Sequence, residues 1–144
     1  PARLAGAERA EMVQSLVGRV LAQRPHVRSS DEDLAARARH LARRYLRGTL
    51  PSSIRWVGNQ QRRWGSCSPH SGEIRISDRL RVVPPWVLDA VLVHELAHLD
   101  EPSHSQRFYD LIARYPRTDE AAVFLEGFTL GLERQARQAE FALD

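Results

Sequence analysis

The 144-residue chain contains one cysteine, one methionine and no lysine. A single cysteine excludes an internal disulfide and fits a reducing compartment, so we expect a cytoplasmic protein. No apolar run reaches the roughly 18 residues that a transmembrane helix needs, and we expect no membrane partner. The chain is long enough to bury a core without a metal or a disulfide, which predicts a single domain over residues 1–144.

Arginine supplies all 21 positively charged side chains. Residues 1–81 contain 16 arginines and 7 acidic residues, whereas residues 82–144 contain 5 and 11. A basic amino-terminal half can bind a polyanion, so nucleic acid or a nucleotide is one predicted partner. The simpler interpretation, which we favour, is a solvated arginine-rich helix face. The oligomeric state is left open by the sequence.

Local sequence patterns predict an α+β fold. Apolar spacing and capping residues predict helices over residues 7–24 and 30–47. Strand-like runs separated by turn residues then predict a small antiparallel sheet of about three strands, followed along the chain by a helix that begins near Pro85. The predicted parts are a helical region over 1–50, a sheet with the active-site helices over 53–116, and a C-terminal helix over 118–144.

The stretch from Val91 to Leu99 contains the pattern H-E-x-x-H within an apolar segment. Because an α-helix repeats every 3.6 residues, His94 and His98 project from one face, one turn apart, and two imidazoles can bind one metal ion. Glu95 lies about a quarter turn away, where its carboxylate can take a proton from a water on the metal. A chance occurrence is disfavoured because an unpaired carboxylate in a buried helix is costly. The pattern predicts a zinc hydrolase.

A catalytic zinc usually has three protein ligands and an open fourth position. The predicted third ligand is His104, because Pro102 ends the first helix and Ser103 can cap a second one, with His104 in its first turn. The rival carboxylate ligands are Asp100, Glu101 and Glu126. Two of these rivals lie too near the end of the first helix to reach the metal, and the third belongs to a later helix.

The spacing of the three histidines also fits the metzincin pattern. Metzincins have glycine where this chain has Glu101, and they have a methionine-containing turn downstream. The only methionine here is Met12, far upstream, so the sequence disfavours that class.

Further motifs accompany the H-E-x-x-H helix: Arg63-Trp64-Gly65-Ser66-Cys67-Ser68, Gly72-Glu73-Ile74-Arg75-Ile76-Ser77, and His104-Ser105 followed by Phe108. With them, the region from Ile54 to Pro116 resembles the YgjP-like metal-dependent hydrolases, which are small zincins related to SprT-type and WLM-type proteases. The usual family pattern has asparagine where this chain has Ser103.

The resemblance implies a zincin-like fold, one Zn²⁺ ion on the three histidines, and Glu95 as the general base. It also implies that the sheet lies over the active-site helix, with an extended peptide substrate along Ile74–Ser77. The family's substrates are poorly defined, and a nucleotide pyrophosphatase activity has been attributed to one member.

Three functions follow from these observations. The first is a zinc-dependent metallopeptidase in which a zinc-bound water, activated by Glu95, attacks a peptide carbonyl. The second is a nucleoside triphosphate pyrophosphatase with the same metal site, against which the lack of a phosphate-binding glycine loop counts. The third is a nucleic-acid-binding module with structural zinc, for which Cys67 is the discriminating fourth ligand.

Several other side chains with chemical potential are expected to be structural. Packing is the favoured role of Cys67, of Trp56 and Trp64, and of Tyr109, whose phenol is otherwise a candidate for stabilising an oxyanion. The histidines expected at the surface are His40 and His70.

Overall fold

A computed structural model describes Gly6, residues 28–60 and residues 62–142, with side chains described as far as residue 139. The helix predicted over residues 7–24 lies outside this part of the chain. Helix α1 (Asp31–Tyr45) begins at Ser30, whose hydroxyl accepts a hydrogen bond from the Asp33 amide while the Asp33 carboxylate accepts one from the Ser30 amide. This reciprocal capping box starts the helix at the predicted position.

The chain then continues through strands β1 (Ser53–Val57), β2 (Gly65–Ser68) and β3 (Glu73–Ser77), a 3₁₀ helix (Asp78–Val82), and helices α2 (Pro85–Asp100), α3 (Gln106–Ile112) and α4 (Thr118–Ala142). The predicted α+β class is confirmed. Along the described chain, one α-helix precedes the three strands and three α-helices follow them. Among the described helices, none combines the length and the apolar character that crossing a membrane requires.

The sheet is mixed, and the prediction of an all-antiparallel sheet is wrong. Its strand order is β1-β3-β2, with β3 parallel to β1 and antiparallel to β2. The tight turn between β2 and β3 forces the antiparallel pairing. Gly72 closes this turn with a φ of 77°, and its amide donates a hydrogen bond of 2.8 Å to the Ser68 carbonyl. Ile74 and Ile76 of β3 are fully buried, as expected for the apolar side chains of a central strand.

The central position of β3 also overturns the predicted binding of a peptide along Ile74–Ser77. Both edges of β3 are hydrogen-bonded to neighbouring strands, so it has no free backbone groups for a further strand. Within the described residues, the edge of β2 that faces away from β3 has no strand partner. Gly65–Ser68 therefore forms an open edge of this sheet.

Helix α2 is the centre of the core. It is apolar nearly all round, and it packs against α1, the sheet, α3 and α4. Pro85 occupies its first turn, where a missing amide hydrogen costs nothing, as predicted. Its buried apolar residues are Val87, Leu88, Val91, Leu92, Val93, Leu96 and Ala97. A helix enclosed in this way holds its few polar side chains in fixed positions.

Candidate active site

Three histidines lie together at the carboxyl-terminal half of α2. His94 and His98 project from one face of the helix, with ring centroids 5.1 Å apart. The ring of His104 is 5.7 Å from that of His94 and 4.9 Å from that of His98. One ring nitrogen of each histidine lies within 4.8 Å of those of the other two. The predicted set is therefore brought together by the fold.

His104 reaches this position from a loop and not from a helix. The N-cap of α3 is Ser105, whose hydroxyl accepts a hydrogen bond of 3.2 Å from the Phe108 amide. The prediction that Ser103 caps the helix, with His104 in its first turn, is therefore wrong. Because His104 lies in the loop before α3, its ring can reach over the end of α2. If His104 were part of α3, the direction of that helix would set the position of the ring.

The donor set suits a divalent metal ion, because neutral imidazole is the form that binds one. Burial, together with the charges that His98 and His104 carry when protonated, lowers the pKa of His94 to about 4. Burial also lowers the pKa of His98. Within the described residues, these three histidines are the group that could hold a metal, and neither Cys67 nor a rival carboxylate belongs to it.

A backbone carbonyl orients His98. The Nδ1 atom of His98 lies 3.1 Å from the carbonyl oxygen of Glu101, the residue at which α2 ends. Since a carbonyl oxygen only accepts, Nδ1 carries the proton and donates it, and Nε2 is left as the metal-binding atom. Glu101 thus acts through its main chain, at a helix end where carbonyl groups have no partner within the helix.

Phe108 forms a floor beneath the three imidazoles. It is fully buried, its ring stacks on His98 with centroids 4.3 Å apart, and it meets His94 edge to face at 4.9 Å. The His104 ring is 5.1 Å away. The sequence indicates that Phe108 is buried, but contact with all three histidines follows only from how α3 packs on α2.

Glu95 is buried beside this cluster, with 6% of its surface exposed. Burial raises its pKa to about 7, and the nearby Arg63 guanidinium opposes the increase. Gly65 of β2 leaves the room that the side chain occupies, because a Cβ atom there would lie 3.1 Å from Glu95 Cγ and 3.2 Å from the Arg75 carbonyl oxygen. Strand β2 therefore fixes the position of the carboxylate from above.

The histidines and Glu95 lie on the wall of a cleft of about 650 Å³. Strand β2 with Arg63 and Trp64 forms one side of the cleft. Another part of the lining is apolar and comes mainly from α4, through Ala121, Ala122 and Leu125. Such a cleft admits an extended chain between a polar strand edge and an apolar helix face.

Most of the other residues singled out from the sequence are placed as predicted, and Tyr109 is not. Cys67 is half-buried and lines the cleft, and burial raises the pKa of its thiol to about 11, which makes it unreactive near neutral pH. Trp56 is in the core as predicted, and Trp64 packs on Phe128 at the cleft margin. Tyr109 is 50% exposed, which overturns its predicted packing role. The histidines confirmed at the surface are His40 and His70.

Three clustered imidazoles, an adjacent buried carboxylate and an open cleft on a buried helix define a metal-dependent hydrolase. The family model of the YgjP-like metallopeptidase domain matches residues 9–126 of the chain. The chain therefore belongs to the YgjP-like metallopeptidase family, as the resemblance over Ile54 to Pro116 predicted. No curated protein and no solved structure matches it.

Proposed function

We propose that the protein is a zinc-dependent peptidase in which His94, His98 and His104 hold one zinc ion and Glu95 is the general base. The observation that carries this proposal is the approach of three ring nitrogens to within 4.8 Å of one another, in a cleft that Glu95 also lines. Three imidazoles leave a tetrahedral ion one open position, which is the arrangement of catalytic zinc sites.

A bound zinc ion would act as a Lewis acid that polarises a carbonyl and lowers the pKa of water. The chain's own groups then have separate roles. Glu95 takes the proton of the attacking water and passes it to the departing amine. The Glu101 carbonyl holds the His98 ring in one tautomer, and Phe108 prevents the rings from tilting away from the cleft.

The substrate backbone has a natural binding place on β2. The Ser77 amide donates to the Trp64 carbonyl at 2.9 Å, so Trp64 and Ser77 form a hydrogen-bonded pair of the antiparallel ladder. Because bonded and non-bonded pairs alternate in such a ladder, Gly65 and Cys67 direct their N–H and C=O groups to the open edge. An extended peptide can pair with these groups and cross the cleft.

Two substitutions test the proposal. Glu95→Gln should retain one zinc per chain but lower the rate of peptide cleavage by about 10²–10⁴-fold, because the proton acceptor is lost. His98→Ala should lose both zinc and cleavage. Zinc content by elemental analysis and cleavage of a fluorogenic peptide library measure the two effects, and His70→Ala, at an exposed turn, is the control. Full activity of Glu95→Gln would refute the assigned base.

Hydrolysis of a nucleoside triphosphate is the second candidate, because Arg63 lines the cleft, Arg62 and Arg75 lie beside it, and these groups could hold phosphates. Phosphate release and peptide cleavage, measured with the same zinc-loaded preparation, separate the two activities. Structural zinc has less support, since Cys67 is absent from the group of clustered donors in the described part of the chain.

A further inference from the structure

A second depression lies beside the cleft, along β2. It measures about 550 Å³, and three arginines line it: Arg62, Arg63 and Arg75. Arg63, Ser66 and Cys67 line both this depression and the cleft, so the two cavities meet at the strand. A chain bound at the open edge of β2 would therefore contact both.

The three arginines differ in whether their side chains have hydrogen-bond or ion-pair partners within the protein. Arg75 donates to the Glu73 carboxylate at 2.9 Å and to the Ser68 hydroxyl at 3.3 Å. Arg62 and Arg63 are exposed, and within the described residues no hydrogen bond or ion pair engages their side chains, although the Arg63 charge also acts on the buried Glu95 carboxylate. The depression thus offers two guanidinium groups to an anion from outside.

Side chains along β2 alternate between the two cavities. The Cβ position of Gly65 points at Glu95 in the cleft. Ser66 points the other way, since its hydroxyl accepts a hydrogen bond of 2.9 Å from the Gln60 amide at the second depression. A peptide paired with this edge also alternates, with successive side chains on opposite faces.

We propose that Arg62 and Arg63 form a specificity subsite that binds the carboxylate of an acidic residue in the substrate. In an extended peptide on β2, the side chain next to the acidic residue enters the cleft, against the apolar wall of Ala121, Ala122 and Leu125. The substrates are thus peptides in which an acidic residue adjoins an apolar one. This inference rests on the proposed peptidase function for the position of the cut.

The edge geometry favours a peptide over a nucleotide as the occupant. A peptide backbone can form hydrogen bonds with Gly65 and Cys67, and a nucleotide has no backbone that pairs with a strand. The planar guanidinium groups suit the two oxygens of a carboxylate, and each such contact adds specificity through its geometry.

Binding can be tested apart from catalysis. The probes are decapeptides with glutamate, glutamine or lysine placed at each position in turn, titrated calorimetrically into zinc-loaded Glu95→Gln protein. At one position glutamate should bind about five-fold more tightly than glutamine, and the preference should shrink between 0.05 and 0.5 M NaCl, as for an exposed ion pair. Adding Arg62→Gln and Arg63→Gln should reduce the preference to less than two-fold. Arg39→Gln combined with Arg43→Gln, which makes the same charge change on the exposed face of α1, should leave it intact.

Cleavage of the same peptides by the wild-type protein separates the outcomes. Cleavage next to the acidic position, with the preference lost in the arginine variants, supports the subsite. Cleavage without charge preference overturns the subsite and leaves the peptidase intact. Charge-selective binding without any cleavage refutes the peptidase and leaves the subsite. Arginine-dependent binding of ATP, with no selectivity among the peptides, would overturn the inference in favour of a nucleotide.

Discussion

At the scale of single residues, the site depends on a carboxylate that the fold holds at a cost. Glu95 is almost fully buried, and its pKa of about 7 shows that the surroundings disfavour its charge. Among the described residues, no hydrogen-bond donor offsets this burial, and Arg63 gives only partial relief. Gly65 is the residue that allows the side chain to fit, because its missing Cβ leaves the space above Glu95 Cγ. Under the proposed function, a carboxylate held in this way is a point where the fold gives up stability for catalysis.

We expect Gly65→Ala to impair catalysis without removing zinc. The new Cβ would lie 3.1 Å from Glu95 Cγ and 3.2 Å from the Arg75 carbonyl oxygen, and the side chain yields more easily than the backbone. A displaced carboxylate should lower kcat about ten-fold or more, with one zinc per chain retained. Steady-state kinetics and elemental analysis measure this.

Gly127→Ala on α4 is the matched control for this substitution, because a Cβ there meets no atom within 4 Å. It should leave kcat unchanged and stabilise the helix slightly. An unchanged kcat in Gly65→Ala would show that β2 does not position Glu95.

At the scale of secondary-structure elements, an ion pair between a half-exposed arginine and a buried aspartate ties α1 to α2, the helix of the candidate site. Arg37 of α1 donates to Asp89 of α2 through Nε at 2.8 Å and through a second guanidinium nitrogen. Asp89 is buried, with 9% of its side chain exposed, and it lies on α2 more than a turn before His94. The Tyr115 hydroxyl donates to the Trp86 carbonyl at 2.8 Å and joins the segment after α3 to the start of α2. These contacts fix α2 from the side away from the cleft.

Arg37→Ala should lower the free energy of unfolding by about 2–3 kcal/mol. The substitution leaves a buried carboxylate unpaired, and part of the penalty is relieved because Arg37 itself is half-exposed. Urea denaturation of the metal-free protein measures the loss. Adding Asp89→Asn should restore part of the stability, since the buried charge is then gone.

Arg43→Ala, on the exposed face of the same helix, is the control for this pair and should change stability by less than about 0.5 kcal/mol. An equal loss in Arg37→Ala and Arg43→Ala would mean that removing any arginine from α1 lowers stability, and that the ion pair does not set the effect.

At the scale of the whole molecule, the pKa values at the site make stability depend on pH. Below the pKa of an unfolded glutamate, near 4.5, Glu95 is protonated in both states and imposes no penalty. As the pH rises to about 7, the unfolded state ionises first, and the folded protein loses stability. His94 acts in the opposite sense, because its lowered pKa costs stability as the pH falls from 6.5 towards 4. The metal-free protein therefore carries two opposing titrations in one cluster.

Comparing Glu95→Gln with the wild type isolates the glutamate, since the His94 titration is common to both. With zinc chelated, we expect the variant to gain stability relative to the wild type by about 2–3 kcal/mol between pH 4.5 and pH 7.5. Denaturation at a series of pH values measures the difference. Glu133→Gln, at an exposed position of α4, should show a flat difference. A flat difference for Glu95→Gln would mean that the buried carboxylate is not destabilised.

Other properties of the whole molecule stay predictions. They are the single-domain organisation over residues 1–144 and the cytoplasmic location, which rest on length and cysteine content alone. The arginine-rich face of α1 is exposed, as a solvated helix face requires. Exposure alone does not indicate a polyanion partner.

The sequence by itself determined which donor groups the candidate site contains, because helical spacing is local. The 3.6-residue repeat places His94, Glu95 and His98 from their order alone, and Pro102 places a corner before His104. The sequence of α2 is apolar on nearly all faces, and this local pattern also predicted that the helix is buried.

Only the tertiary structure decided what surrounds that chemistry. Strand order depends on pairing between distant residues, so the sequence could not show that β3 is central and that Gly65–Ser68 forms an edge. The contact of Phe108 with three imidazoles and the hydrogen bond from His98 to the Glu101 carbonyl likewise follow from packing and from where helices end. Local periodicity fixes which side chains share a face, whereas long-range packing fixes what that face meets.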